Sequence, residues 1–311
     1  MRILVLGAGG IGGYFGGRLA AAGVDIRFLV RPARAESLAR TGLVITSPLG
    51  DLRAPVETLT AADSSCDAVL LACKAYDLDD AMAAIAPAVG PSTLILPLLN
   101  GIRHLDVLDA RFGPERVLGG LCHIGATMNA AGEIEHLNAA QRFVFGARSP
   151  EQIPAAQALH GILGRGGFEP ILSPAIMTEM WEKFVFITTY AGMITLMRAP
   201  IGAVLAAQEG EAIILEMLAE CVATAKAAGY PPRPEAMKQT ISVLTERGSP
   251  GTASMFRDVM GKGRTEHEHV IGDMLARARA AGVPAPLLRI CLAHMQAYEA
   301  QRSGAAPSAI R

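Results

Sequence analysis

The sequence predicts an α/β protein in two parts, an N-terminal doubly wound domain over residues 1–172 and an all-helical C-terminal domain over residues 173–311. Two observations lead to this prediction. In the first part, short apolar runs typical of strands buried on both faces alternate with helical patterns. After residue 172 only helical patterns recur. At 311 residues the chain is long enough to bury two separate cores.

The strands of the first domain are expected where the apolar runs lie. A helix from residue 10 to 22 should follow the first strand. Residues 119–146 form shorter β-like pieces with a turn at 129–132, and we expect them to extend the same sheet with antiparallel strands. The expected strands cover residues 2–6, 25–30, 68–73, 93–96 and 168–172.

The second domain is predicted to begin with a helix whose N-cap is Ser173 and whose first position is Pro174. Glycines and prolines separate it from further helical patterns. The terminal segment 303–311 is expected to fray. The predicted helices cover residues 174–198, 209–228, 234–247, 265–281 and 286–301.

Composition excludes several classes of partner. The formal net charge of −1 argues against a nucleic-acid footprint or an anionic membrane surface. The longest apolar run, residues 184–197, is shorter than the roughly 20 residues that a membrane span needs. The five cysteines form no C-x-x-C pair, which is typical of buried thiols in a reducing compartment. We therefore expect a soluble, cytoplasmic protein that acts on a small molecule.

A metal site is not expected in the Glu-His-Glu-His run at residues 266–269. His267 and His269 are two residues apart, so on a helix their side chains point in nearly opposite directions. Zinc-binding helices use an i, i+4 spacing instead. We interpret the two histidines as solvated or as part of an interface.

A glycine-rich loop follows the first strand and opens the first helix, which is the context that gives a G-x-G-x-x-G pattern its specificity. The first glycine would make the tight turn, the second would admit a pyrophosphate, and the third would allow close packing of helix on strand. This predicts a Rossmann-type dinucleotide-binding domain. The loop consists of Gly7, Ala8, Gly9, Gly10, Ile11 and Gly12.

The end of the second strand favours NADP(H) over NAD(H). An NAD-binding fold usually has an acidic residue there for the ribose 2′-hydroxyl. This chain has Arg31, with Arg34 nearby, and guanidinium groups suit a 2′-phosphate. The alternative is that these arginines only solvate a surface loop.

Six motifs at compatible spacing resemble the ketopantoate reductases, the NADPH-dependent 2-dehydropantoate 2-reductases of pantothenate biosynthesis, over nearly the whole chain. The resemblance implies reduction of a 2-oxo acid, namely 2-dehydropantoate (ketopantoate) to pantoate. The motifs are the glycine loop, Leu29-Val30-Arg31, Cys73-Lys74-Ala75-Tyr76, Asn100-Gly101, Trp181-Glu182-Lys183 and the pair Ser254-Met255 and Arg264-Thr265-Glu266.

The resemblance also implies roles for single residues. Lys183 would be the general acid that protonates the ketone oxygen, and Glu266 would bond the hydroxyl and ketone region of the substrate. Ser254 would bind the substrate carboxylate, while Lys74 and Asn100 would line the nicotinamide side. The alternatives are a surface pair of Lys183 with Glu179, a helix N-terminal role for Glu266, and ordinary strand-end polarity for Lys74 and Asn100.

The sequence departs from the family at four asparagines, which are replaced by Ile187, Ala191, Ile201 and Gly251. Residues at i, i+4 and i+8 share a helix face, so Ile187 and Ala191 should form an apolar substrate-binding wall beside Lys183. We expect Thr188 and Tyr190 to be rotated away from it.

An apolar wall of this kind is compatible with two substrates. One is ketopantoate bound through other contacts, and the other is a more apolar 2-oxo acid. A β-hydroxyacid-dehydrogenase-like oxidoreductase and a non-catalytic NADP-binding redox sensor are further alternatives. The apolar helical half is a candidate homodimer interface.

Overall fold

The structure, a computed structural model, describes residues 1–304, so most of the segment expected to fray lies outside the described residues. The chain divides into two compact units. The first consists of Met1–Leu99 with His104–Ile176, and the second of Asn100–Arg103 with the chain from Met177 onward. The α/β class, with a parallel sheet first and helices after it, is confirmed.

A parallel five-stranded sheet forms the first layer of the first unit, in the order β5 (Glu57–Leu59), β2 (Ile26–Leu29), β1 (Ile3–Leu6), β6 (Ala68–Leu71) and β7 (Leu94–Pro97). Strands β1, β6 and β7 are buried along their whole length, which explains their continuous apolar runs. The strands are β1 (Ile3–Leu6), β2 (Ile26–Leu29), β3 (Leu43–Thr46), β4 (Leu52–Ala54), β5 (Glu57–Leu59), β6 (Ala68–Leu71), β7 (Leu94–Pro97), β8 (Gly119–Met128), β9 (Ile134–Gly146) and β10 (Pro170–Leu172).

The remaining strands form a second sheet, so the expectation that residues 119–146 extend the first sheet is wrong. The β8 and β9 strands pair with each other as a long antiparallel hairpin. β9 also pairs in parallel with β10 and with β3, which in turn pairs with β4. The turn predicted at 129–132 is confirmed, and Gly132 occupies it with φ +82°. Strand pairing with distant segments, rather than the local pattern, decides to which sheet the hairpin belongs.

The helices account for most of the remaining chain. Between residues 173 and 304 the structure describes helices and no strand, as predicted. They are α1 (Gly10–Ala21), α2 (Pro32–Thr41), α3 (Leu78–Ile85), α4 (Arg103–Phe112), α5 (Ile153–Leu163), α6 (Ile176–Met197), α7 (Ile201–Leu205), α8 (Gly210–Ala227), α9 (Pro234–Leu244), α10 (Ser254–Met260), α11 (Asp273–Ala280) and α12 (Pro286–Arg302).

Two predicted helices begin later than expected. α6 begins at Ile176, because the Ser173 hydroxyl accepts a hydrogen bond from the Ala175 N–H (3.1 Å) and closes a turn before the helix. The pattern over 265–281 contains a π-helix, Glu268–Gly272, before α11 begins. Neither α6 nor any other helix in residues 1–304 is both long and apolar enough to cross a membrane.

Helix α1 lies between the two sheets and approaches both closely because of its glycines. Gly12 and Gly16 face the first sheet, where a Cβ at Gly16 would be 2.9 Å from the Phe28 ring. Gly13 and Gly17 face the second sheet, where a Cβ would collide with side chains of β9 and β3. Each pair is spaced i, i+4, so each forms one row along the helix. The core of the first unit is built around this helix.

Candidate active site

The glycine loop connects β1 to α1 and has the shape of a phosphate cradle. Gly7 has φ +92°, a conformation that favours glycine, and its N–H bonds the Leu29 carbonyl at 3.1 Å. A Cβ at Gly12 would collide with the Gly7 carbonyl oxygen, whereas a Cβ at Gly9 would meet nothing within 4 Å. Because the first N–H groups of a helix have no partner within it, the open space beside Gly9 fits a dinucleotide pyrophosphate.

Arg31 lies at the carboxyl end of β2, as the N-cap residue of α2. Its side chain is 80% exposed, and Nη2 is 3.3 Å from Asp77 Oδ2. Asp77 ends a short 3-10 helix that follows Lys74, and its N–H bonds the Lys74 carbonyl at 2.9 Å. The fold therefore brings Arg31, Lys74 and the glycine loop to one edge of the first sheet.

Arg34 has a structural role besides the one expected. Its guanidinium donates to the carbonyl oxygens of Gly132 (2.8 Å) and Ala8 (3.0 Å), and burial lowers its pKa. It ties the glycine loop to the β8–β9 turn. Each carbonyl engages one N–H of Nη1 or Nη2, and the expectation that Arg34 assists with a 2′-phosphate stays a prediction.

Lys183 lies on the accessible stripe of an otherwise buried stretch of α6. From residue 183 to residue 195, the side chains that keep partial exposure are Lys183, Phe186, Ile187 and Tyr190. Spacings of three, four and seven residues put all four on one face of the helix. The expectation that Tyr190 is rotated away is therefore wrong. Ala191, expected in the same wall, is only 7% exposed.

An ion pair fixes the turn of α6 that carries Lys183. Glu182, beside Lys183 in sequence, accepts three hydrogen bonds from Arg233: from its N–H (2.9 Å), Nε (2.7 Å) and Nη2 (2.6 Å). This bidentate pair ties α6 to the start of α9 and raises the pKa of Arg233. The backbone that carries Lys183 is thereby anchored to a second helix.

The loop before Ser254 packs on the start of α7. The Gly251 carbonyl accepts a hydrogen bond from the Ile201 N–H (3.2 Å), and the Ser249 carbonyl accepts one from the Gly202 N–H (3.0 Å). Ser254 is the first residue of α10. Ile201 and Gly251, two of the four positions at which the resemblance implies asparagines, are therefore direct neighbours.

Glu266 is buried, and its carbonyl accepts hydrogen bonds from the next turn, from the N–H groups of His269 (3.0 Å) and Val270 (3.1 Å). The preceding Thr265 is held by Glu299 of α12 through its N–H (2.8 Å) and hydroxyl (3.0 Å). Burial raises the pKa of Glu299, but hydrogen bonds from Arg302 and Thr265 outweigh it and hold that pKa below its usual value. The segment that positions Glu266 is thus fixed by the C-terminal helix.

The two histidines of this segment are buried, each 7% exposed, so of the two interpretations, solvated side chains or an interface, the first is wrong. Burial, together with Arg103 and Arg277, lowers the pKa of His269 to about 4. A Cβ at Gly101, which has φ +78°, would be 2.9 Å from the His269 carbonyl oxygen. The Asn100-Gly101 turn therefore packs directly on the π-helix that follows Glu266.

The predicted residues consequently form two groups. The glycine loop, Arg31 and Lys74 belong to the first unit, while Asn100, Lys183, Ile187, Ser254 and Glu266 belong to the second. Sequence patterns did not reveal the ring of Tyr190 beside Gly251. The i+7 spacing of Tyr190 from Lys183 could have indicated that both side chains share one face of the helix.

Comparison with known proteins identifies the family. The sequence profile of "Ketopantoate reductase PanE/ApbA" matches residues 3–150, and that of its C-terminal domain matches residues 175–299. The chain belongs to the ketopantoate reductase family. This is a family of pyridine-nucleotide-dependent oxidoreductases.

Three similar proteins illustrate the range of the ketopantoate reductase family and fold. "Uncharacterized oxidoreductase YkpB" of Bacillus subtilis is 37% identical over 97% of this chain and 100% of its own. A "2-dehydropantoate 2-reductase" of Mesorhizobium japonicum is 26% identical over 97% and 99%. The solved ternary structure of "D-mandelate dehydrogenase with NADH and anilino(oxo)acetate" superposes with a TM-score of 0.88 at 20% identity, covering 97% of this chain and 99% of that one.

Proposed function

We propose that this protein reduces a 2-oxo acid with NADPH, and that ketopantoate is its first candidate substrate. The observation that carries the proposal is the placement of Lys183, which lies on the one accessible stripe of a buried stretch of α6. Membership of the ketopantoate reductase family supports the reaction class. The open cradle beside Gly9 supports the dinucleotide.

Each predicted residue has a chemical task in this reaction. A nicotinamide cofactor, when bound, would supply the hydride for the ketone carbon. The Lys183 ammonium polarises the ketone oxygen and donates the proton that completes a secondary alcohol, and solvent then returns a proton to the amine. The Glu266 carboxylate accepts a hydrogen bond from a substrate hydroxyl. Ser254 binds the substrate carboxylate, and Lys74 and Asn100 line the nicotinamide side.

Arg31 supports the choice of NADPH. Its exposed guanidinium stands where an NAD-binding fold usually has an acid, and it suits a 2′-phosphate. Asp77 pairs with the same guanidinium, so it competes with the phosphate for that group. We therefore infer a preference for NADPH that Asp77 moderates.

A second candidate function is reduction of a more apolar 2-oxo acid. The partly exposed Ile187 occupies a position at which the family has asparagine, on the same stripe as Lys183. An aliphatic side chain offers no hydrogen bond to a hydroxylated substrate. The fold alone does not distinguish the two candidate substrates, since a D-mandelate dehydrogenase has the same fold.

The deciding experiment follows NADPH oxidation by absorbance with a panel of 2-oxo acids that includes ketopantoate, 2-oxoisovalerate and phenylglyoxylate. Turnover of ketopantoate far above the others would establish the first candidate. Turnover of the apolar acids at equal or higher kcat/KM would establish the second. Binding of NADPH with no oxidation by any acid would contradict both and leave the redox sensor.

A further inference from the structure

The stripe beside Lys183 carries an aromatic pair that the family motifs do not account for. The rings of Phe186 and Tyr190 stack with centroids 5.3 Å apart and planes 20° apart. Both keep partial exposure on a stretch of α6 that is otherwise buried apart from Lys183 and Ile187. The side chains next to the lysine thus present flat apolar surface rather than amides.

The position of the Tyr190 ring depends on Gly251. A Cβ at residue 251 would collide with the Tyr190 hydroxyl and would lie 3.2 Å from the Ser249 hydroxyl. The loop has little room to retreat, because a Cβ at Gly202 would already be 2.5 Å from the Ser249 nitrogen. A side chain at position 251 therefore conflicts with the Tyr190 hydroxyl in its present position, so one of the two must move.

The phenol of Tyr190 remains a hydrogen-bond donor. Burial and the nearby Glu246 raise its pKa above the usual value, with Arg257 acting in the opposite direction. The ring thus ends in a protonated group at the place where the family has an asparagine side chain.

We propose that Tyr190 determines the substrate class: with Phe186 it forms an apolar wall for the side chain of an aromatic 2-oxo acid, and it excludes the asparagine that a hydroxylated acid would use at position 251. This proposal rests on the proposed 2-oxo acid reduction. A phenyl group stacks on such rings at centroid distances of about 4.5–7 Å. Phenylglyoxylate is the corresponding probe.

The first test compares kcat/KM for phenylglyoxylate and ketopantoate in the wild type and in Tyr190→Ala. We expect the wild type to prefer phenylglyoxylate. Tyr190→Ala should lower kcat/KM for phenylglyoxylate by about three- to tenfold, mainly through KM, as the loss of one aromatic contact implies. The ratio of the two kcat/KM values should therefore move toward ketopantoate. The matched control is Tyr230→Ala, which removes a ring stacked on Trp181 in the same unit and should leave the ratio of the two substrates unchanged.

The second test needs no activity. Gly251→Asn alone should melt at a lower temperature than the wild type because of the clash with Tyr190. The double variant Tyr190→Ala/Gly251→Asn should melt no lower than Tyr190→Ala, since the space is then free. Its substrate preference should also move toward ketopantoate. Such coupling is measured directly by the double-mutant cycle.

Distinct results would overturn the proposal and the function on which it rests. A wild type that prefers ketopantoate, with a ratio that Tyr190→Ala leaves unchanged, would overturn the role of Tyr190 while the reduction of 2-oxo acids stands. Additive melting shifts in the double variant would overturn the mutual exclusion. No NADPH oxidation with either acid would overturn the proposed function itself.

Discussion

At the scale of a single residue, Lys183 is one of five lysines in the chain and is partly exposed on an otherwise buried stretch of α6. We expect Lys183→Ala to lower kcat by roughly 10²–10⁴, the usual effect of removing a general acid, with NADPH binding largely retained. Steady-state kinetics and a fluorescence titration of NADPH measure the two effects. Lys226→Ala, an exposed lysine on α8, is the control and should be silent. Unchanged kcat in Lys183→Ala would remove the residue from the reaction.

Arg31 and Asp77 allow a prediction about cofactor choice. Arg31→Ala should abolish most of the preference for NADPH, because a charge-assisted hydrogen bond contributes about 1.5–3 kcal/mol and this exposed one belongs at the lower end. Asp77→Asn should act in the opposite direction and tighten NADPH, since it frees the guanidinium. Dissociation constants for NADPH and NADH report both effects, with the exposed Arg40→Ala as control. Equal affinities of the wild type for the two cofactors would refute the prediction.

At the scale of the element, a carboxylate on α8 caps α12. The buried Glu220 side chain accepts hydrogen bonds from the N–H groups of Leu287 (2.9 Å) and Leu288 (3.0 Å), the first turn of that helix. A negative charge at this end also suits the helix dipole. α12 in turn carries Glu299, which holds the segment before Glu266.

We expect Glu220→Ala to destabilise the protein by about 1.5–3 kcal/mol, because buried N–H groups lose a charged partner. Denaturant unfolding monitored by circular dichroism measures the loss. Glu216→Ala, one turn earlier and exposed on the same helix, should change stability by less than about 0.5 kcal/mol. If the two variants were equally stable, the cap would be unimportant.

The elements also show how far the sequence alone leads. Strands buried on both faces and long helices were predictable, because their patterns are local. The second sheet was not, since β9 pairs with β3 and β10 from distant parts of the chain. In the site, the glycine loop was predictable from its motif, whereas the role of Lys183 comes from the family resemblance and stays a prediction. The contact of Tyr190 with Gly251 was not, because it depends on where the loop of residues 248–253 packs.

At the scale of the whole molecule, buried histidines make stability depend on pH. Burial is the first cause that lowers the pKa of His269 to about 4, and it also lowers those of His267 and His294. The unfolded chain binds these protons near pH 6.5, whereas the folded chain resists them. The stability that neutral His269 contributes is therefore present above pH 6.5 and is lost as the pH falls toward 4.

We expect the melting temperature to fall between pH 6.5 and 4, with a free-energy slope for His269 of at most about 1.4 kcal/mol per pH unit. His269→Gln should reduce that slope, and His160→Gln in the first unit serves as the comparison. Differential scanning fluorimetry across the range provides the measurement. An identical pH profile for His269→Gln and the wild type would show that other groups control the acid sensitivity.

The glycines of α1 have a consequence for how the first unit assembles. Five of the twelve residues of this helix are glycine, and each costs about 1 kcal/mol of intrinsic helix stability relative to alanine. Such a segment cannot stay helical in isolation, so it becomes ordered only when both sheets enclose it. The phosphate cradle at its N-terminus is therefore a late product of folding. The hydrogen-bonded amide protons in the body of the helix should exchange only through global opening of the unit, and a dinucleotide bound at its N-terminus should slow that opening.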